Sequence, residues 1–224
     1  NKAIFFKNFY NNYRKKQQLN NKNNNLKIVD LFCGAGGFSL GFKQEGYQIE
    51  LANDIDRIAI ETYKLNHPEV PSNKILCDDI ISIVSSIDTM IKNEIDVIIG
   101  GPPCQSFSSA NQQRIIDDPR NILYKYFIEA TKKIKPKFII MENVRGMKKV
   151  ASQVVEDFQQ IGYEVEYTLF NAYEFSVPQN RTRLIYIGIK KEFSLKQNIT
   201  PKTIIENINK EINKCIILCA NCHR

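Results

Sequence analysis

No apolar run in the 224 residues approaches the ~20 needed to cross a bilayer, and no stretch reads as a secretory signal. A cytoplasmic location without membrane contact is therefore expected. The six cysteines do not make a disulfide framework. Cys33, Cys77 and Cys104 are scattered, while Cys215, Cys219 and Cys222 cluster near the end. A reducing compartment fits this usage, and Cys33 and Cys77 read as small apolar core residues. Neither Gly-x-Gly-x-x-Gly nor Gly-Lys-Ser/Thr occurs, which excludes the dinucleotide fingerprint and the P-loop. There is no internal repeat, so no solenoid is expected. Acid is also missing at the start: Lys2, Lys7, Arg14, Lys15, Lys16, Lys22 and Lys27 all precede the first carboxylate, Asp30. The other 24 basic residues balance the 24 acidic ones, so the leader carries the net charge of +7. Such a leader either touches phosphates or is a solvated tail.

What is present is a core. Hydrophobic residues make up 43% and charged residues 25%, enough for a folded domain. Residues 1–25 are polar and Asn-rich, and are expected to be poorly ordered. From Leu26 the pattern is regular. Strands are expected at 27–32, 48–53, 74–77, 95–99, 137–141, 165–170 and 183–189. Helices are expected at 37–45, 55–66, 80–92, 121–134 and 150–161. Strands alternating with helices of this length imply an α/β, doubly wound, mostly parallel sheet covered on both faces. The last two strands have no helix between them and should pair antiparallel. Residues 26–191 form the expected catalytic domain. Residues 192–224 form a C-terminal helix (201–214) and a cysteine-rich tail.

The segments that bear chemistry lie at strand ends. Gly100-Gly101-Pro102-Pro103-Cys104-Gln105-Ser106-Phe107-Ser108 follows an apolar strand that the glycines and prolines end abruptly. Cys104 is a candidate nucleophile on a stiff loop, or a buried cysteine beside a turn. The first strand runs into Asp30-Leu31-Phe32-Cys33-Gly34-Ala35-Gly36-Gly37-Phe38-Ser39. This glycine turn either admits a ligand to the backbone or is only a tight connection. After the second strand, Asp54 and Asp56 are candidates for accepting from ribose hydroxyls or for capping a helix. Asp78 and Asp79 after the third offer the same choice, with an amino group as the ligand. Glu142 in Glu142-Asn143-Val144 is a candidate proton donor, or a cap or partner for Arg145. Arg181 and Arg183 suit a carbonyl-rich or anionic ligand, or are surface arginines.

In this order the blocks Asp30-to-Phe42, Gly100-to-Ser108, Glu142-Asn143-Val144 and Gln179-to-Arg183 closely resemble the cytosine-5 DNA methyltransferase family. Asp117-Asp118-Pro119-Arg120-Asn121 with Leu123 resembles a further signature block. The resemblance covers residues 26–191. It implies a seven-stranded, Rossmann-like fold of the S-adenosylmethionine-dependent methyltransferases. It also implies a mechanism in which the Cys104 thiolate adds to C6 of a flipped cytosine. Glu142 would hold and protonate N3, Arg183 would contact O2 and Arg181 would support the pocket. S-adenosyl-L-methionine is the implied cofactor. Phe32 would stack on its adenine, and Gly34, Ala35, Gly36 and Gly37 would cradle its methionine end. Asp54 would hold the ribose, Asp79 and Ile80 the adenine edge, and Pro103 and Leu123 would line the pocket. Ile55 stands where the family often has an aromatic residue.

The family's target-recognition domain and pocket-closing segment are not recognisable. Sequence specificity is therefore expected to be absent or supplied by a separate recognition polypeptide. Double-stranded DNA and a cognate restriction endonuclease are the implied partners. Residues 213–224 resemble the distal part of an HNH-type endonuclease zinc knuckle. Cys219 and Cys222 give two sulfur ligands where a closed site needs four, so no metal site is assigned. The expected origin is a truncated or rearranged gene. Two other readings of function stand beside DNA methylation: a tRNA cytosine-5 methyltransferase, and a remnant that binds cofactor or nucleic acid without turnover.

Overall fold

The computed structural model describes residues 26–103, 123–175 and 177–209. Seven strands are present: β1 (Lys27–Leu31), β2 (Gln48–Asp54), β3 (Ile75–Cys77), β4 (Val97–Gly100), β5 (Phe138–Val144), β6 (Tyr163–Asn171) and β7 (Thr182–Lys190). They form one sheet in the order β3-β2-β1-β4-β5-β7-β6. The helices are α1 (Gly37–Gln44), α2 (Arg57–Asn66), α3 (Ile80–Met90), α4 (Leu123–Ile134), α5 (Ala151–Gln160) and α6 (Lys191–Gln197). Residues 201–209 are also helical. The chain divides into two compact units, the first built from residues up to 102 with 123–139, the second from 103–122 with 140–224.

In the first unit β1 pairs parallel with both β2 and β4, and β2 pairs parallel with β3. The reason lies in the side chains. Ile28, Val29 and Leu31 of β1, and Val97, Ile98 and Ile99 of β4, are all buried. Strands this apolar on consecutive positions must be covered on both faces, which parallel crossovers through helices provide. Asp96, just ahead of β4, sets the register. Its carboxylate accepts from the Lys27 N–H at 2.8 Å and from Lys137 Nζ at 2.9 Å. Its own amide donates to the Lys27 carbonyl at 3.0 Å.

In the second unit β6 and β7 pair antiparallel from Tyr163↔Lys190 to Asn171↔Thr182, as the missing helix between them required. The observed elements follow the expected ones closely, with two differences. β5 runs on to Val144, so Glu142 and Asn143 lie within the strand. Helix α6 follows β7 directly, where no further regular alternation was expected.

Gly100 ends β4 where no side chain fits. A Cβ there would lie 2.5 Å from the Leu31 carbonyl oxygen and 2.7 Å from the Phe127 ring. A Cβ on Gly37 meets nothing within 4 Å. We expect Gly100→Ala to destabilise the protein by about 1–3 kcal/mol in urea unfolding, because the backbone itself must shift. Gly37→Ala, on the first turn of α1, should cost nothing measurable.

Candidate active site

In the first unit the chain leaves β1 through a turn that most residues cannot make. Phe32, Gly34 and Gly36 have φ of 57°, 52° and 88°. For Phe32, a residue with a side chain, the left-handed region costs on the order of 1 kcal/mol. The turn is held from several sides. The Gly34 N–H donates to Asp54 Oδ2 at 2.8 Å, and the Cys33 N–H donates to the Asn53 carbonyl at 3.0 Å. The Gly36 N–H closes back on the Cys33 carbonyl at 3.0 Å. A Cβ on Gly34 would meet nothing within 4 Å, so one side of the turn is open space. A positive-φ glycine facing open space, Gly34, beside a carboxylate at the end of β2, suits a nucleoside ligand with a polar tail.

The acids at the strand ends divide their work. Asp54 accepts from Gly34 with one oxygen and from the Asp56 N–H with the other, at 3.0 Å. Asp56 caps α2, accepting from Ile58 at 2.8 Å and Ala59 at 3.2 Å. Asp79 caps α3 through Ile81 at 2.7 Å. Asn53 ties β2 to the end of β3, donating to the Asp78 carbonyl at 2.9 Å. Ile55 is exposed and Ile80 is buried.

Beneath the turn lies a polar chain that motif reading missed. Tyr63 of α2 donates to the Ser39 hydroxyl at 2.7 Å, and Ser39 donates to Asp30 Oδ2 at 2.6 Å. Asp30 is fully buried, and its Oδ1 has no hydrogen-bond partner among the described residues. Burial raises its pKa from 3.8 to about 7, and the hydrogen bonds from Ser39 offset this only in part. Burial, with Asp30 and Asp54 nearby, pushes the Cys33 thiol well up. Cys33 thus stays protonated and unreactive.

In the second unit Glu142 of β5 and Arg183 of β7 form an ion pair, Oε1 to Nε, at 2.6 Å. Both side chains are about a quarter to a third exposed (30% and 25%), so the pair is reachable from solvent. Arg183 also donates through Nη1 to the Thr182 carbonyl at 3.0 Å. Asn171, the last residue of β6, secures the approach to β7. Its Oδ1 accepts from the Arg181 N–H at 3.1 Å and the Tyr173 N–H at 3.2 Å. Its Nδ2 donates to Asn180 Oδ1 at 2.7 Å.

Comparison with known proteins settles the lineage. The family profile described as "C-5 cytosine-specific DNA methylase" matches residues 26–217. This chain belongs to that family. Among similar proteins, the type II methyltransferase M.FnuDI of Fusobacterium nucleatum is 38% identical over 196 residues, covering 85% of this chain and 55% of the relative. M.DdeI of Desulfomicrobium norvegicum is 39% identical over 202 residues, covering 85% and 48%. A solved structure described as a putative DNA modification methyltransferase encoded within an E. coli prophage superposes with a TM-score of 0.63. It is 32% identical, and the match covers 79% of this chain and 49% of that one. The chain therefore spans about half the length of the relatives it matches.

Most of the residues expected to bind cofactor lie in the first unit. Phe32, Gly34, Ala35, Gly36, Gly37, Asp54 and Asp79 stand at the ends of neighbouring strands of the first unit, with Leu123 opening α4. Glu142 meets Arg183, not Arg145. Arg181 precedes β7, is exposed, and is held through its backbone. Cys104 and the 104–122 segment lie outside the described residues, as do residues 1–25 and 210–224. Pro103 is exposed. One expectation is corrected: Cys33 is buried, but Cys77 is exposed, because β3 is the short edge strand. The missed residues Ile60 and Tyr63 of α2 and His67, which follows its last residue, share a spacing of three and four. That spacing marks a buried face, and the polar tips on it were the available signal.

The raised Asp30 pKa has a testable sign. Its contribution to stability is fully present below about 3.8, where both folded and unfolded forms are protonated, and is lost as pH rises through about 7. Urea unfolding between pH 5 and 8 should show the protein losing stability relative to Asp30→Asn as pH rises. Parallel curves would mean that Asp30 does not titrate in this window.

Proposed function

We propose that this chain carries the catalytic part of a DNA (cytosine-5-)-methyltransferase acting in restriction–modification. The observation that carries the reading is the Glu142–Arg183 pair, a carboxylate on β5 and a guanidinium on β7 held 2.6 Å apart. It stands in a chain whose family profile match runs through the Pro-Pro-Cys-Gln block.

S-adenosyl-L-methionine supplies a methyl group on a sulfonium centre, ready for attack by carbon. The residues that would hold it are Phe32, the Gly34–Gly37 turn, Asp54, Asp79 and Ile80, with Pro103 and Leu123 beside them. The rest of the chemistry belongs to the protein. Cytosine C5 is a poor nucleophile, and addition of the Cys104 thiolate to C6 converts the ring to an enamine. Glu142 gives a proton to N3 as the thiolate adds, so negative charge does not build on the ring. Arg183 orients Glu142 and donates to the base O2, and Arg181 supports the same region. After methylation, loss of the C5 proton to a base, expulsion of the Cys104 sulfur as thiolate and return of the N3 proton to Glu142 restore the neutral aromatic ring. The base must leave the duplex first, since C6 is inaccessible in the stack.

One second reading, a chain that binds cofactor or nucleic acid without turnover, rests on the open side of the glycine turn beside Asp54 alone. Tritium transfer from labelled S-adenosyl-L-methionine separates the two. We expect label in duplex DNA, a denaturation-resistant adduct with DNA containing 5-fluorocytosine, and loss of both in Cys104→Ser. Cofactor binding with neither label nor adduct selects the binding-only reading. Label entering tRNA and not DNA would overturn the choice of substrate. Arg183→Lys keeps the charge but loses the fixed guanidinium geometry. It should lower kcat about 10–100-fold, in line with loss of one positioned group.

A further inference from the structure

The end of α2 grips the glycine turn from below. Asn66 Nδ2 donates to the Ala35 carbonyl at 2.8 Å. His67 Nε2 lies 3.0 Å from the Gly36 carbonyl. A carbonyl can only accept, so Nε2 carries the hydrogen. The His67 ring is fully buried and lies 4.4 Å from the Tyr63 ring, centroid to centroid. A Cβ on Gly36 would run into the His67 imidazole and come within 2.9 Å of Tyr63. Two consecutive carbonyls of the turn are thus drawn to one helix end, and the ring that holds the second also bars any side chain at Gly36. The Gly36 carbonyl accepts from the Leu40 N–H at 2.8 Å as well, so His67 holds the turn at the first bond of α1. In a trans peptide the N–H points opposite to the preceding carbonyl. With the Gly36 oxygen aimed at α2, the Gly37 N–H is turned away from it.

We infer that Asn66 and His67 are positioning residues for cofactor binding: they set the orientation of the Ala35 and Gly36 peptides and so prepare the turn for its ligand. This rests on the reading above that the glycine turn takes S-adenosyl-L-methionine. Neither residue touches the ligand in this account. Their effect passes through two backbone carbonyls, and it acts on binding before any chemistry.

The test is calorimetric titration of the full chain with S-adenosyl-L-methionine and S-adenosyl-L-homocysteine, paired with thermal unfolding of the ligand-free protein. Asn66 is exposed, so Asn66→Ala should fold with Tm near that of the unaltered chain. It should weaken both ligands about fivefold to tenfold, the size of one lost hydrogen bond. His67→Ala opens a buried space and will lose stability as well. His67→Gln keeps an amide N–H for the Gly36 carbonyl and should recover most of the affinity lost in His67→Ala. The inference is overturned if Asn66→Ala binds as the unaltered chain does. It is equally overturned if affinity in the His67 pair follows Tm alone, with no recovery in the glutamine variant. Failure of the unaltered chain to bind either ligand would instead sink the cofactor reading, and the inference with it.

Discussion

The backbone between Phe32 and Gly36 takes left-handed angles at three of five positions, and the first unit is organised around holding it there. A turn of that kind does not persist unaided. Its amides and carbonyls need partners from elsewhere, and its one large residue is in a costly conformation. Asp54 takes the Gly34 amide, and Asn66 and His67 take the Ala35 and Gly36 carbonyls. The Asp30–Ser39–Tyr63 chain runs beneath. Each partner comes from β1, β2, α1, α2 or the residue that ends α2. The turn's shape is therefore set by how those elements pack. A surface loop has no such determination.

The second unit uses a different device. An ion pair about a quarter to a third exposed adds little to stability once solvent screening is counted. The value of the Glu142–Arg183 contact lies in direction. A guanidinium fixed on one strand holds a carboxylate on the next in a single orientation. Asn171 extends the same control to the segment before β7, through backbone amides. Arg181 can thus be exposed and still have a fixed main chain.

Helix capping and ligand binding were rival explanations for the acids at the strand ends, and the one does not exclude the other. Asp56 and Asp79 each cap a helix. Asp54 sits one step earlier and joins two loops. A carboxylate oxygen has two lone pairs, so a backbone bond does not exhaust it.

Much of this was legible beforehand. Apolar runs such as Ile28–Val29 and Val97–Ile98–Ile99 announce buried strands. Glycine and proline announce where they stop, and the missing helix between β6 and β7 announces an antiparallel pair. These are properties of neighbouring residues, so the order of amino acids by itself determined the seven strands, helices α1 to α5 and the placing of Gly34 and Asp54 where β1 and β2 end; the run of β5 past Glu142 and helix α6 were not marked in this way. Partner choice was not local. Gly34 reaches Asp54 twenty residues on, His67 reaches Gly36 thirty-one residues back, and Glu142 passes over nearby Arg145 for Arg183 on another strand. Cys77 lies exposed only because β3 falls at the sheet's edge. Such pairings depend on distance through space, which folding alone supplies; no spacing along the chain encodes it.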